Sequence, residues 1–340
     1  MGQKSLPLSA TITLLSELAD GQEGEFFALL AEKQELKTRD GKPYYRVTFR
    51  DKARDVSFPI WSDAPLAESC RSEWTPGQFY KLRATFRQSN YGPQLDIKKI
   101  RAAVDGDRKD GFSPAMCQPA SRFDPVEMFA ELMNLIEKYV EDKPLRKLVT
   151  DIYEQYREDL LVMPAAKRNH HAFASGYLEH VLNVTQTCAQ MADKYAELYN
   201  DLEPPINKGL VVAGGALHDI GKLRELEFGP TGADYTPAGC LIGHILQGRD
   251  IVRETAAGRK IDADLLLRLE HVIVAHQRLP EWGSPKPPMT PEALIVHYAD
   301  DMDAKMQMIV GAMKEDPAGG PMTSKKNAMN QQFYRGESSG

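Results

Sequence analysis

The stretch Gly214-Gly215-Ala216-Leu217-His218-Asp219-Ile220-Gly221-Lys222 decides how this chain is read. A nearly apolar run, Gly209 to Leu217, delivers an adjacent histidine and aspartate, and Lys222 follows His218 at i+4. In a helix that spacing places the lysine one turn on, sharing a face with His218 and lying beside Asp219. Imidazole and carboxylate are the ligand types that a borderline or hard divalent cation takes, and an ammonium next to them suits a substrate phosphate. The His-Asp pair alone is better explained by a buried hydrogen bond at a helix end, so its surroundings have to decide. The apolar run itself is about half of what a membrane-spanning helix requires, and no membrane partner is expected.

All eight histidines lie at or beyond His170. Upstream of the quoted stretch come His170-His171 and then Gly176-Tyr177-Leu178-Glu179-His180, where Val181, Leu182, Val184 and Cys188 continue an apolar helix face. Downstream come Gly243-His244-Ile245, Val274-Ala275-His276 and His297-Tyr298-Ala299-Asp300-Asp301-Met302-Asp303-Ala304-Lys305. From Val126 apolar residues recur at helical spacing (Met128, Leu132, Leu135, Ile136, Tyr139), and helical segments follow almost continuously to about Lys314. One histidine on one helix is ordinary. Several on separate helices that converge in a bundle are where facing helices assemble metal sites.

The first third reads differently. Tyr45, Val47 and Phe49 alternate with Arg46, Thr48 and Arg50, and Val56, Phe58 and Ile60 alternate again, which is the period of a half-buried strand. Further strands are expected over Glu25–Lys33, Phe79–Phe86 and Leu95–Ile100, with turns at 38–42, 76–77 and 90–93 and a short helix within Ala64–Trp74. Five short strands predict a small β-barrel of the OB type. At 340 residues two domains are expected: a barrel over 1–108, a linker over 109–125, an all-α domain over 126–316 and a mobile tail over 317–340. Four scattered cysteines without a CxxC pair and no charged-then-apolar leader predict a reducing, cytoplasmic setting.

The net charge of −6 hides a basic stretch, Lys37–Arg101, with 14 basic residues against 7 acidic ones. There Arg46, Arg50, Lys81 and Arg83 interleave with Tyr44, Trp61 and Tyr91. Cations that track phosphates and rings that stack bases are the means of binding single-stranded nucleic acid. Phe49, Phe58 and Phe79 are expected to fill the barrel instead.

The ordered pattern H…HD…H…H…D resembles the HD superfamily of metal-dependent phosphohydrolases. His-His-Ala at 170–172, Gly-x-Leu-Glu-His at 176–180, His-Asp-Ile-Gly-Lys at 218–222, Gly-His-Ile at 243–245, Glu281-x-Gly283-Ser284-Pro285 and the 297–305 motif together resemble the YhaM-type 3′→5′ exoribonucleases. The resemblance implies an OB-fold followed by an HD-superfamily helical domain, and a single-stranded RNA substrate, with DNA as a second polymer. It implies that His180, His218, Asp219 and Asp300 hold one metal, that His244 and His276 hold a second with Asp219 bridging, and that Lys222 contacts the scissile phosphate. His171 and Ser284 rank second. The histidine-rich set and the family both point to Mn²⁺, one or two ions per site. Where the family has Ser-His-His-Gly this chain has Ala275-His276-Gln277-Arg278, and an amide replaces the second imidazole. An alternative reading keeps the HD site but makes the substrate a nucleotide or cyclic dinucleotide, with the barrel as a regulatory or assembly module. Homo-oligomers are compatible with either.

Overall fold

The computed structural model describes residues 12–336, apart from 39, 90, 91, 168, 169, 230, 231 and 317–319. The chain divides into two compact units, Met1–Ala120 with Gly229–Gly232, and Ser121–Phe228 with Ala233–Gly340.

The first unit is built from β1 (Ile12–Thr13), β2 (Glu23–Lys37), β3 (Pro43–Arg50), β4 (Asp55–Trp61), helix α1 (Ala67–Ser72), β5 (Phe79–Ser89) and β6 (Gly92–Ala102). The main strands run in the order β4-β3-β2-β5-β6, all antiparallel, and β1 adds to β2 in parallel. A register shift between Leu30 and Glu32 divides the long β2. Its first half pairs with β5 and its second with β3, the bend that such a bulge provides. β4 also lies against β6, so the sheet curls back on itself. This is the five-stranded, partly open Greek-key barrel of the OB-fold.

Alternation dictates the filling. Phe26, Leu30, Val47, Phe49, Val56, Phe58, Tyr80 and Leu82 point inward and are buried, each contributing about 1.5–3 kcal/mol of burial. Phe79 is the exception to expectation. Its position in the pleat puts it outside the barrel with Phe27, where Phe112 covers both rings at centroid distances of 5.6 and 4.8 Å. The segment that supplies Phe112 carries two 3-10 turns, Asp105–Asp110 and Pro114–Cys117. Asp107 anchors it, accepting a bidentate pair from Arg101 at 2.6 and 2.8 Å and the Val104 amide at 2.9 Å. Those bonds outweigh the opposing effect of burial and hold the Asp107 carboxyl below its usual range.

The second unit contains α2 (Pro125–Tyr139), α3 (Lys143–Gln155), α4 (Arg157–Val162), α5 (Gly176–Leu198), α6 (Lys208–Leu217), α7 (Lys222–Glu225), α8 (Pro237–Ile242), α9 (His244–Ala256), α10 (Ala263–Ala275) and α11 (Pro291–Glu315). A hairpin, β7 (Leu226–Gly229) with β8 (Gly232–Tyr235), interrupts the helices where a continuous run was expected; the sequence signal for it is the Gly229-Pro230 break. Helices α2, α3, α6, α10 and α11 start on side-chain caps, Asp124, Asp142, Asn207, Asp262 and Thr290. Helix α6 is the axis of the bundle: every residue from Leu210 to Leu217 is buried, with α2, α5, α10 and α11 against it. A Cβ on Gly214 would stand 2.6 Å from Val272 Cγ1, so the glycine sets how closely α10 approaches. Thr323, in the segment expected to be mobile, is buried. It pairs with Phe333 through backbone and hydroxyl, and Ser324 bonds Asp316.

Candidate metal and active site

At the end of α6 the chain leaves the bundle core with His218 and Asp219, both buried. The Nε2 atoms of His180 and His218 are 3.3 Å apart and lie 3.4 and 3.5 Å from Asp219 Oδ2. Asp300 Oδ1, from α11, is 3.3 Å from His180 Nε2 and 3.8 Å from His218 Nε2. The other oxygen, Asp219 Oδ1, is 3.4 Å from His244 Nε2 and 3.6 Å from His276 Nε2. Donors bound about 2.1 Å from one cation stand about 3.0–3.4 Å from one another, close to these spacings. Two donor sets therefore meet at one carboxylate, and all six residues expected as metal ligands from the sequence are in them.

The far side of each ring fixes which nitrogen is free. His218 Nδ1 lies 2.8 Å from the Gly215 carbonyl and His276 Nδ1 2.7 Å from the Ile273 carbonyl. His180 Nδ1 is 2.8 Å from Asp303 Oδ2, and His244 Nδ1 is 2.9 Å from Glu225 Oε1. All four partners only accept, so each Nδ1 carries the proton and each Nε2 turns a lone pair toward Asp219. Four lone pairs and two carboxylates facing one another repel unless a cation or protons lie among them. Among the described residues Asp219 Oδ1 and His276 Nε2, both buried, have no hydrogen-bond partner. The residues present fit one or two divalent ions.

Protons compete with a cation for these atoms. Burial raises the Asp219 pKa, but Lys222, His218 and His180 outweigh it and hold the carboxyl well below the carboxylate range. Burial lowers the His180 pKa, yet Asp219, Asp300 and Asp303 carry it well above the ordinary value. His276 is pushed down by burial. Lys222 Nζ lies 2.5 Å from Asp219 Oδ2 and lines a cavity of about 700 Å³ with Lys167, His170, Tyr235, His244, Gln277 and Trp282. Close backbone packing makes this possible. A Cβ on Gly221 would fall 1.9 Å from the His244 carbonyl oxygen, so only glycine lets the start of α9 bring His244 beside Asp219.

His171 is placed apart from both donor sets. Its Nε2 contacts Asp303 Oδ2 at 2.9 Å, so it steadies the carboxylate that orients His180. Ser284 is also a holder: its hydroxyl accepts the Gln277 amide at 3.0 Å. Gln277 Nε2 lies 3.2 Å from His244 Nε2. Asp303 and Glu225 were missed as orienting groups. Asp303 was legible in the 297–305 motif, three residues after Asp300 and so on a neighbouring face of the helix. Glu225 had no sequence signal, because its partner is 19 residues away.

In the barrel unit, Tyr44, Arg46 and Arg50 share the outer face of β3, opposite Trp61, Pro59 and Asp55 of β4. The Tyr44 and Trp61 rings are 5.0 Å apart and Trp61 is 48% exposed. Arg46 bonds Ser57, and Arg50 makes a bidentate pair with Asp55. Lys81 and Arg83 lie elsewhere, on β5, paired with Asp110 and Glu23. The Lys81 side chain is only 13% exposed, so the basic tally overstated the free charge. Tyr91 lies outside the described residues.

Residues 177–305 match the HD domain family model, a class of metal-dependent phosphohydrolase domain, and the His/Asp clusters there could hold a metal. The chain is 30% identical over 316 residues to the 3′-5′ exoribonuclease YhaM of Geobacillus sp. strain WCH70, covering 93% of this chain and 92% of that protein. It is 29% identical over 321 residues to YhaM of Bacillus licheniformis, covering 93% and 95%. It belongs to the YhaM 3′-5′ exoribonuclease family. A crystallised domain of replication protein A from Methanococcus maripaludis is 13% identical and covers 27% of this chain and 93% of that domain, with a TM-score of 0.22. Among the described residues no helix is long and apolar enough to cross a membrane.

Proposed function

We propose that this protein is a metal-dependent 3′→5′ exoribonuclease that removes nucleotides from single-stranded RNA, using the HD unit for hydrolysis and the β3–β4 face of the barrel to hold the strand. The observation that carries the reading is the pair of donor sets sharing Asp219, with the phosphate-seeking Lys222 beside them. His180, His218, Asp219 and Asp300 would hold one ion, and Asp219, His244 and His276 a second. A histidine-rich set favours Mn²⁺ or another transition ion over Mg²⁺. When bound, such ions supply positive charge for the phosphoryl oxygens and acidify water.

The chain's own residues do the rest. Asp303 and Glu225 orient His180 and His244, and two backbone carbonyls orient His218 and His276. Lys222, at the cavity wall, places an ammonium where a scissile phosphate enters. Trp61 and Tyr44 offer ring faces to bases further along the strand, and Arg46 a charge to its phosphates. The free cysteines, three of them buried, accord with a reducing cytoplasm.

The test is to incubate the Mn²⁺-loaded protein with 5′-labelled single-stranded RNA. A descending ladder is expected. Inert RNA with turnover of nucleotides or cyclic dinucleotides would replace this reading with a nucleotide phosphohydrolase, and RNA bound but uncut would mark a binding protein.

A further inference from the structure

The cavity that reaches Lys222, His244 and Gln277 is also walled by Tyr235, Ile242 and Trp282. Its volume of about 700 Å³ falls in the range of small-ligand sites and admits a terminal nucleotide. Trp282 stands out along this wall. The other two tryptophans have ring partners: Trp61 has Tyr44, and Trp74 has Phe49 and Tyr80. Among the described residues no ring or cation lies against the Trp282 indole, which is 52% exposed.

Nor is that exposure a loose loop. Trp282 ends the 3-10 turn Pro280–Trp282, and its amide bonds the Leu279 carbonyl. Arg278 at φ +67° and Gly283 at φ +102° flank the turn. A left-handed arginine persists only where its surroundings enforce it. The enforcement comes from buried Ser284, whose amide bonds Leu279 and whose hydroxyl accepts the Gln277 amide. Gln277 in turn touches His244. The indole is thus tied by short bonds to one donor set while about half of the residue stays exposed. The other aromatic of the wall is already engaged: Lys167 Nζ lies 5.7 Å from the Tyr235 ring centroid and pairs with Asp234 at 2.7 Å.

We infer that Trp282 is the stacking platform for the base of the 3′-terminal nucleotide, holding the end of the strand while its phosphodiester lies at the Asp219 cluster. This rests on the exoribonuclease reading and adds to it a base-contacting residue. Free indole faces bind any base by stacking, so the end is gripped without sequence preference.

The experiment compares two 5′-labelled RNAs that differ only in a 3′-terminal abasic residue, assayed for release of the first residue by the full-length, metal-loaded enzyme. Wild type should show kcat/KM about 10-fold lower on the abasic end. Trp282→Ala should lose about 10-fold on normal RNA and treat both ends alike. Trp282→Leu, which keeps apolar bulk, should also treat them alike, and Trp282→Phe should restore the discrimination. Equal rates by wild type on the two RNAs, or discrimination retained in Trp282→Leu, would overturn the assignment while leaving the exonuclease in place. No shortening of either RNA by wild type would overturn the exonuclease reading and this one with it.

Discussion

The two units treat buried charge in opposite ways. In the barrel unit Asp107 is sealed, but every contact it makes is answered: Arg101 binds both oxygens and the Val104 amide adds a third bond. In the helical unit Asp219 is just as buried, yet among the described residues Oδ1 has no hydrogen-bond partner and neither has His276 Nε2. An unanswered buried polar atom costs about 1–3 kcal/mol. Among the donors of a cation that cost is repaid when the ion binds. At Asp107 no oxygen is left open, whereas at Asp219 the open atom belongs to a shared carboxylate between two donor sets.

Substitutions in both units test that contrast. Removing the shared carboxylate should have the largest effect. Asp219→Ala, and likewise His218→Ala, should lower hydrolysis of labelled RNA by about a thousandfold or more, with the helical circular dichroism kept and metal per chain reduced. Full turnover without Asp219 would exclude this cluster as the active site. Lys222→Ala should cost about a hundredfold in rate with metal content unchanged, since its role is toward phosphate; parallel loss of metal would make it part of the metal site instead.

Smaller effects belong to the barrel. Trp61→Ala should weaken binding of long single-stranded RNA by about tenfold while leaving cleavage of a dinucleotide unchanged. Arg46→Ala should flatten the log–log salt dependence of that binding by about 0.7. Equal losses on long and short substrates would remove the β3–β4 face from the strand path. The smallest expected effect is Asp107→Asn, which should destabilise the barrel by about 1 kcal/mol at pH 7. Its folded pKa is depressed, so the carboxylate's contribution is complete above its unfolded pKa of about 3.9 and is lost as pH falls through the lower folded value. Denaturant midpoints of wild type and variant should therefore begin to converge below about pH 4 and meet only once pH has fallen through the lower folded value; a gap unchanged across that whole range would mean that the bonds do not depend on the charge.

Much of this was legible in the chain itself, for reasons that differ by unit. Alternation of Tyr45, Val47 and Phe49 places strand β3 because a pleated strand has only two faces. It did not place Phe79 correctly, because a barrel with a covering segment has apolar positions on both faces. Charge counting pointed to Lys81 and Arg83, whose partners Asp110 and Glu23 are distant in sequence. In the helical unit the ligand histidines announced themselves through motif order, whereas the groups behind them did not. Glu225 bonds His244 only because the tight Gly221 contact brings α9 to that spot, a tertiary fact without a local signature.

One arrangement behind the histidines bears on how such a site can change over evolutionary time. Each donor set has one ring held by a main-chain carbonyl, His218 by Gly215 and His276 by Ile273, and one held by a carboxylate side chain, His180 by Asp303 and His244 by Glu225. No point mutation deletes a main-chain carbonyl, whereas one codon change removes a carboxylate. In each set one imidazole is therefore inherited with the backbone and the other is open to selection, so descendants can drift in metal preference or catalytic vigour at codons 225 and 303 with all the ligands themselves unaltered.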